Sequence, residues 1–335
     1  MTVAHTLPYV VQRHYNAYAY LALPLCAALA EPGGADWFDT GFVQLHAYRL
    51  TTRPEEVHLD LVDAFAYQRF LRAETVPAAA ARAITDAAGF VREHLAAGRR
   101  VVLFTEDSAL TGQPGARFRE YLFVGHAGDR LTAVGFDARR RFTTVEFTAE
   151  QVRDAFRAGL RLQEQAGGPV PVTAYAQLLS ARAEPPRPPR ADLAAQVTAY
   201  ALGTAPPGFD PRQGWWWFDR ALDLSPGTAV SYGTDVYALL GEHLRGHLDA
   251  GLPLNYPMFH LLAEHKRLVL ARLSRLTADP GALAGYRALA GEVDLLRMKI
   301  MLSRERRKVL LTGPDVDGLV GLGPRERELV LAAVG

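Results

Sequence analysis

The sequence contains very little cysteine. Among 335 residues there is a single one, Cys26. An intramolecular disulfide and a cysteine-based zinc cage are therefore both excluded. Any thiol chemistry in this chain must use that one side chain.

Long apolar runs and an excess of charge of one sign are also missing. The longest apolar stretches, such as residues 17–23, are too short to cross a bilayer. No basic segment followed by an apolar core and a small-residue cleavage site indicates a signal peptide. The net charge of +1 gives no general attraction to nucleic acid or an anionic membrane. We expect a soluble, cytoplasmic protein that binds neither.

Several motifs of nucleotide and metal enzymes are absent from the sequence. There is no GxxxxGK[ST] or GxGxxG phosphate loop, no HExxH zinc helix and no GxSxG nucleophile elbow. We therefore expect no nucleotide, metal or other cofactor. If an amide bond is made here, its acyl group must arrive already activated.

The apolar spacing of the first half predicts an α+β fold. Helical periodicity covers residues 17–30 and 78–97. Short apolar runs then predict four strands, at residues 101–105, 121–124, 131–136 and 142–147, with a hairpin turn at 127–129. Thr148 and Gln151 form a capping box that begins a helix extending to Leu160. Helices followed by an antiparallel meander are typical of the α+β class.

Proline and helical periodicity predict the domain boundaries. The segment Ala183–Arg190 contains four prolines, a density that neither a helix nor a central strand accommodates. Beyond it we predict helices over residues 258–276, 283–303 and 325–334. We therefore expect an α+β domain over residues 1–182, a Pro-rich linker over 183–192 and a helical domain over 193–335.

Pro24 leaves two interpretations of the first helix. It either kinks one helix or lies in the first turn of a second helix that begins there. In the second case, N-terminal N–H groups would lie near Cys26. They would lower the pKa of its thiol and provide hydrogen-bond donors for an oxyanion.

Several segments, read in order, resemble a known family. They are WFDTGFVQL (Trp37–Leu45), VVLFTEDSALTG (Val101–Gly112), FREYLFVG (Phe118–Gly125), AVGFD (Ala133–Asp137) and FHLLAEHKRLVLARLSRL (Phe259–Leu276). Together they resemble the butirosin-type acyltransferase-like family of antibiotic pathways, which is related to C39 peptidases. The resemblance implies a papain-like N-terminal domain.

The same resemblance implies a reaction and its partners. Active members transfer an acyl group from the thioester of an acyl or peptidyl carrier protein to a small-molecule amine. The phosphopantetheine arm of the carrier then enters as part of the substrate. The single cysteine and the missing standard histidine are most similar to lincosamide amide-forming condensation enzymes, which join a carrier-bound proline derivative to an amino-octose.

The sequence departs from the family pattern at its catalytic positions. The expected histidine site, six residues before Gly125, holds Arg119. The expected nucleophile position lies near Ala17 or Tyr18, and neither side chain can act as a nucleophile. The missing residue types occur further along the same elements, as Cys26 and His126. We therefore predict these two as a displaced catalytic pair.

The predicted pair implies a specific reaction mechanism. His126 would deprotonate Cys26, whose thiolate would attack the thioester and form an acyl-cysteine. The carboxylate that would orient His126 is not assigned. Glu106 and Asp137 occupy the positions at which the family resemblance expects it. If the pair fails, His46 and His14 are the next candidates for the base.

The rival interpretation assigns neither residue a chemical role. A lone cysteine in an Ala/Leu helix is most often a small buried apolar group, and a histidine at a hairpin is most often exposed surface. The chain would then be a catalytically inactive papain-like scaffold or binding partner. His265 lies on the apolar stripe of its helix, and we expect it to be a buried, hydrogen-bonded packing residue.

Overall fold

The chain forms two compact units. A computed structural model describes residues 4–50, 55–112, 118–165, 174–184, 192–211, 228–306 and 308–335. Within this part of the chain, unit 1 comprises residues 4–35 and 65–184, and unit 2 comprises residues 36–64, 192–211 and 228–335. The predicted α+β class is confirmed, and all the strand pairs described are antiparallel.

Among the described residues, this division differs from the predicted domains in one segment. Residues 36–64, which we assigned to the N-terminal domain, belong to unit 2. They contain two strands that pair with each other and with a strand from residues 230–232, so their hydrogen bonds are satisfied within unit 2. Most of the predicted linker, including its four prolines, lies outside the described residues.

Unit 1 is built around a seven-stranded sheet. Its strands are β1 His5–Thr6, β4 Leu71–Pro77, β5 Arg99–Glu106, β6 Phe118–Ala127, β7 Arg130–Phe136, β8 Phe142–Thr148 and β9 Ala174–Ala181. The order is β4-β9-β5-β6-β7-β8, and β1 also pairs with β6. Its helices are α1 Ala19–Ala28, α3 Ala78–Ala81, α4 Ala87–Ala96, α5 Ser108–Thr111 and α6 Ala149–Gln165.

Both faces of this sheet are covered by helices. Alternate side chains of β5, Val101 and Leu103, join the buried cluster formed with α4 and α6. The intervening Val102 and Phe104 point to the opposite face, because successive side chains of a strand alternate. That second face carries α1, which contacts β6. A ligand site on the second face is therefore walled by α1.

Local sequence signals correctly predicted several of these elements. The β6–β7 hairpin turns at Gly128–Asp129, and Gly128 adopts φ +56°, a left-handed conformation that glycine takes without strain. Thr148 and Gln151 form the predicted capping box, with reciprocal hydrogen bonds of 3.1 and 2.8 Å. The prediction of a single helix over residues 78–97 is wrong. The structure has α3 and α4 instead, separated by a segment in which the β-branched Ile84 and Thr85 and then Asp86 disfavour a helix interior.

Unit 2 combines helices with a three-stranded sheet. Its helices are α7 Leu193–Ala201, α8 Val236–Ala250, α9 Tyr256–Leu276, α10 Pro280–Arg306 and α11 Gly313–Val334. Its strands are β2 Leu45–Arg49, β3 Val57–Leu61 and β10 Val230–Tyr232, in the order β10-β2-β3. The helix α2, Gly34–Thr40, contains the division between residues 35 and 36. Among all the described helices, none is long and apolar enough to cross a bilayer.

A fully buried ion pair connects the helices of unit 2. Lys266 Nζ on α9 lies 2.8 Å from Glu326 Oε2 on α11, and neither side chain is exposed. The same carboxylate accepts hydrogen bonds from the hydroxyls of Tyr200, Tyr237 and Tyr286. A buried charge is tolerated only when it is paired and hydrogen-bonded. These donors therefore connect α7, α8 and α10 to the pair.

We predict that Lys266→Met lowers the free energy of unfolding by about 3–5 kcal/mol, because it leaves the Glu326 carboxylate buried without a cation. Urea unfolding monitored by circular dichroism measures this loss. Lys299→Met is the matched control: Lys299 forms a part-exposed pair with Asp315, and its loss is expected to cost no more than about 1 kcal/mol. Equal losses in the two variants would contradict the prediction.

Candidate functional site

Cys26 lies inside a single helix. The helix α1 begins at Ala19, contains Pro24 in its interior and ends at Ala28. The structure thus has one helix here, and no second helix begins at Pro24. Cys26 lies seven residues after Ala19, or about two turns at 3.6 residues per turn. The free N–H groups of the helix N-terminus are therefore too far along the helix to assist its thiol.

The Cys26 thiol is sealed from solvent. Its exposed fraction is 0%, and the neighbouring residues Leu21 and Leu25 are each 1% exposed. Burial raises the pKa of the thiol from 9.0 to about 12, against a smaller opposing effect of backbone hydrogen bonding. At neutral pH the group is therefore a thiol, whereas nucleophilic attack requires a thiolate.

His126 lies near the end of β6 and is also buried. Its exposed fraction is 7%, so the expectation of an exposed hairpin histidine is wrong. It faces His5 across the β1–β6 pair, with ring centroids 6.2 Å apart. Burial lowers the pKa of His126, and the charges of Arg92 and His5 lower it further. The imidazole is therefore held in its neutral form.

The structure gives no support to the predicted catalytic pair. In the part of the chain described, the Cys26 thiol and the His126 ring form no hydrogen bond with each other. The Nδ1 atom of His126 is buried and has no hydrogen-bond partner among the described residues. A thiol–imidazole pair needs a contact at hydrogen-bond distance, or one that tightens when substrate binds. The pair stays a prediction without a geometric basis.

The side chains at the positions where the family resemblance expects the catalytic carboxylate and histidine take part in other interactions. Glu106 accepts hydrogen bonds from the backbone N–H of Ser108 at 2.9 Å and from its hydroxyl at 2.6 Å. Asp137 forms an ion pair with Arg141 at 2.7 Å. Arg119, at the expected histidine site, lies 3.4 Å from Asp107. Each of these groups stabilises a local turn or strand.

The remaining candidate histidines do not replace His126. His46 belongs to unit 2, and burial lowers its pKa to about 4. His14 is exposed, and its backbone N–H donates to the side chain of Gln12. His265 is 0% exposed and its Nε2 lies 2.7 Å from the Val43 carbonyl oxygen, which confirms it as a hydrogen-bonded packing residue. Among the described residues, no three His, Cys, Asp or Glu side chains are grouped so as to hold a metal ion.

A small pocket, with space for little more than one water-sized group, lies between α1 and the second face of the unit 1 sheet. It is lined by Ala19, Tyr20, Leu23, Pro24, Val102, Phe104 and Glu120. Six of these seven residues are apolar or aromatic, so Glu120 carries the one ionisable carboxyl of the lining. Cys26 and His126 are not part of it. A mostly apolar lining with one carboxyl is the pattern of small-molecule sites, but this pocket is far smaller than the roughly 300–1,000 Å³ of such sites.

Strand pairing explains the position of Glu120. Residue 120 on β6 pairs directly with Phe104 on β5, and Leu122 pairs with Val102. Glu120 therefore stands on the sheet face that α1 covers. The sequence analysis missed this residue. The detectable signal was its place in the run Glu120-Tyr-Leu-Phe-Val, where a carboxyl directly precedes four consecutive apolar or aromatic residues.

The environment of Glu120 strongly favours its neutral form. Burial raises the pKa of the carboxyl from 4.5 to about 7, and its own backbone N–H and the charge of Arg119 only partly oppose that effect. No side chain of the described residues forms an ion pair with it. A carboxyl with a pKa near 7 in a pocket is a candidate for proton transfer at physiological pH.

Neither of two comparisons with known proteins found a match. No protein-family model matches the chain, and no curated protein matches it. The function must therefore be argued from the pocket and from the segments that resemble the acyltransferase family.

We predict that Glu120→Gln raises the free energy of unfolding by about 2 kcal/mol at pH 8 and leaves it unchanged at pH 4. The folded-state pKa of about 7 exceeds the ordinary 4.5, so wild-type stability is lost as the pH rises between these values. An amide of the same size avoids this loss. Urea titrations at both pH values measure the difference.

The control for this measurement is Glu146→Gln, which alters an exposed carboxyl on β8 of the same unit. Its effect is expected to stay within about 0.5 kcal/mol at either pH. A gain from Glu120→Gln that is equal at pH 4 and pH 8 would show that desolvation of a charge is not its cause.

Proposed function

We propose that this protein forms amide bonds without ATP, by transfer of an aminoacyl group from a carrier-protein thioester to a small-molecule amine. We further propose that unit 1 is related to the papain-like fold and that no acyl-cysteine is formed. The reaction takes place in the pocket between α1 and the sheet. The observation that carries this proposal is the position of that pocket.

The pocket lies beside the position at which the family resemblance expects the nucleophile. The expected nucleophile position is near Ala17 or Tyr18, and the pocket is lined by the next two residues, Ala19 and Tyr20. The expected histidine position, 119, stands on the opposite face of β6 from Glu120, because successive side chains of a strand alternate. The match at the nucleophile position supports a retained site with altered chemistry.

The properties of Cys26 argue against the covalent route. Its thiol is 0% exposed and its pKa is raised to about 12, so a pantetheine arm would meet neither an accessible sulfur nor a thiolate. A thioester is already an activated acyl donor, and an amine held close to it can attack the carbonyl directly. The amide forms as the C–S bond breaks and the thiol of the arm leaves.

The second candidate function is an inactive scaffold or binding partner in a biosynthetic assembly. The sealed thiol and the lack of a Cys26–His126 hydrogen bond in the described structure favour it equally. The two candidates differ in one observable respect. An inactive scaffold binds the carrier protein without turnover, whereas the enzyme consumes the thioester when an amine is present.

We predict that Cys26→Ala retains amide formation within about threefold of the wild-type rate, because a buried thiol is replaced by a small apolar group of similar role. The measurement is mass spectrometry of the amide formed from prolyl carrier protein and an amino sugar, with intact-protein mass followed in parallel. No acyl adduct on the wild-type protein is expected.

Three other results would change the assignment. An acyl adduct on wild-type protein that Cys26→Ala abolishes, together with lost turnover, would restore the acyl-cysteine route. Turnover abolished by a chelator and restored by zinc would overturn the metal-independent reaction. Carrier binding without turnover by the wild-type protein would support the scaffold.

A further inference from the structure

Among the described residues, the pocket around the Glu120 carboxyl provides no counter-charge. The other residues of the lining are apolar or aromatic, and no lysine or arginine of the described residues forms an ion pair with Glu120. The adjacent Arg119 is directed elsewhere, with its guanidinium 3.4 Å from Asp107 and 5.4 Å from the centre of the Phe136 ring. Glu120 is therefore a carboxylate without a cationic partner among the described residues.

We propose that this pocket binds a primary ammonium group, with Glu120 as its counter-ion and proton acceptor. A partly desolvated carboxylate is costly unless a cation pairs with it. A ligand that supplies the cation recovers that cost, and charge-assisted hydrogen bonds from its N–H groups add to the gain. Because the described lining of the pocket carries no positive charge, the ligand that fits it is a cation.

The walls of the pocket suit an ammonium group attached to a slim carbon chain. The rings of Tyr20 and Phe104 both line it, and Tyr20 is held in place by stacking on Tyr18 and Phe65. The space within it holds little more than one water-sized group, far less than the roughly 300–1,000 Å³ of pockets for drug-sized ligands. The site therefore takes the amino end of a molecule and leaves the remainder outside.

The proton-accepting role rests on the proposed function, whereas ammonium binding does not. An ammonium ion must lose one proton before its nitrogen can attack, and the Glu120 carboxylate accepts it. The C–N bond then forms and the C–S bond breaks. The second N–H proton leaves with the pantetheine thiolate as thiol, and Glu120 releases its proton to solvent.

Isothermal titration calorimetry with ethylammonium chloride, in the absence of any acyl donor, tests the binding. We expect binding to wild-type protein about tenfold weaker at pH 6 than at pH 8, because a carboxyl with a pKa of about 7 must ionise to pair with the cation. In two buffers of different ionisation enthalpy at pH 7, about half a proton should be released per ligand bound.

Two variants separate a specific site from general attraction. We expect Glu120→Gln to weaken ethylammonium binding at least about tenfold and to abolish proton release, while it remains folded because the change removes a desolvated acid. We expect Glu146→Gln, at an exposed position, to bind like the wild type. Neutral 1-propanol and anionic propionate are expected to bind at least about tenfold more weakly than ethylammonium, since neither supplies the missing charge.

The inference is overturned if Glu120→Gln binds ethylammonium as tightly as the wild type, if propionate or 1-propanol binds equally well, or if no ligand binds at pH 8. Its failure is distinguishable from failure of the proposed function. Ethylammonium binding without amide formation would refute the proposed reaction and support the ammonium site. Amide formation by Glu120→Gln at the wild-type rate would support the proposed reaction and show that Glu120 is not its proton acceptor.

Discussion

Desolvation determines which ionisable groups of this protein can take part in chemistry. Lys266 and Glu326 are both fully buried, and their charges are compensated by each other and by three tyrosine hydroxyls. Cys26 is buried among apolar residues and stays a neutral thiol. Glu120 lies between these cases, because it is partly desolvated, has no cationic partner among the described residues and lines a pocket. Of these groups, only Glu120 is both accessible and poised to change charge near pH 7.

The fold was predictable from sequence where the local signal coincided with the tertiary outcome. The turn at Gly128–Asp129 and the capping box of Thr148 and Gln151 require only a few consecutive residues, and both formed as predicted. The central strand β9 was missed. Its sequence is Ala-Tyr-Ala-Gln-Leu-Leu-Ser-Ala, in which alanine has a low strand propensity. Pairing with β4 and β5 on either side compensates for that weak local preference.

The candidate site was predicted less well, for a physical reason. Sequence shows which residue types exist, and Cys26 was chosen because it is the one thiol of the chain. Reactivity depends on exposure and on the neighbours of a group in space, which the sequence does not contain. The burial of Cys26 and the direct pairing of Glu120 with Phe104 across β5 and β6 appear only in three dimensions. The family resemblance came closer on one side, because its expected nucleophile position adjoins the pocket.

The burial that raises the pKa of Glu120 also acts on any amine bound beside it. Transfer of a proton from ammonium to carboxylate converts an ion pair into two neutral groups, and an apolar environment favours the neutral pair. The rings of Tyr20 and Phe104 and the side chain of Leu23 provide such an environment. In the proposed reaction, an amine would enter from water as a cation and become neutral beside Glu120. The neutral amine is the form that attacks a thioester, so the proposed site would both bind the nucleophile and activate it.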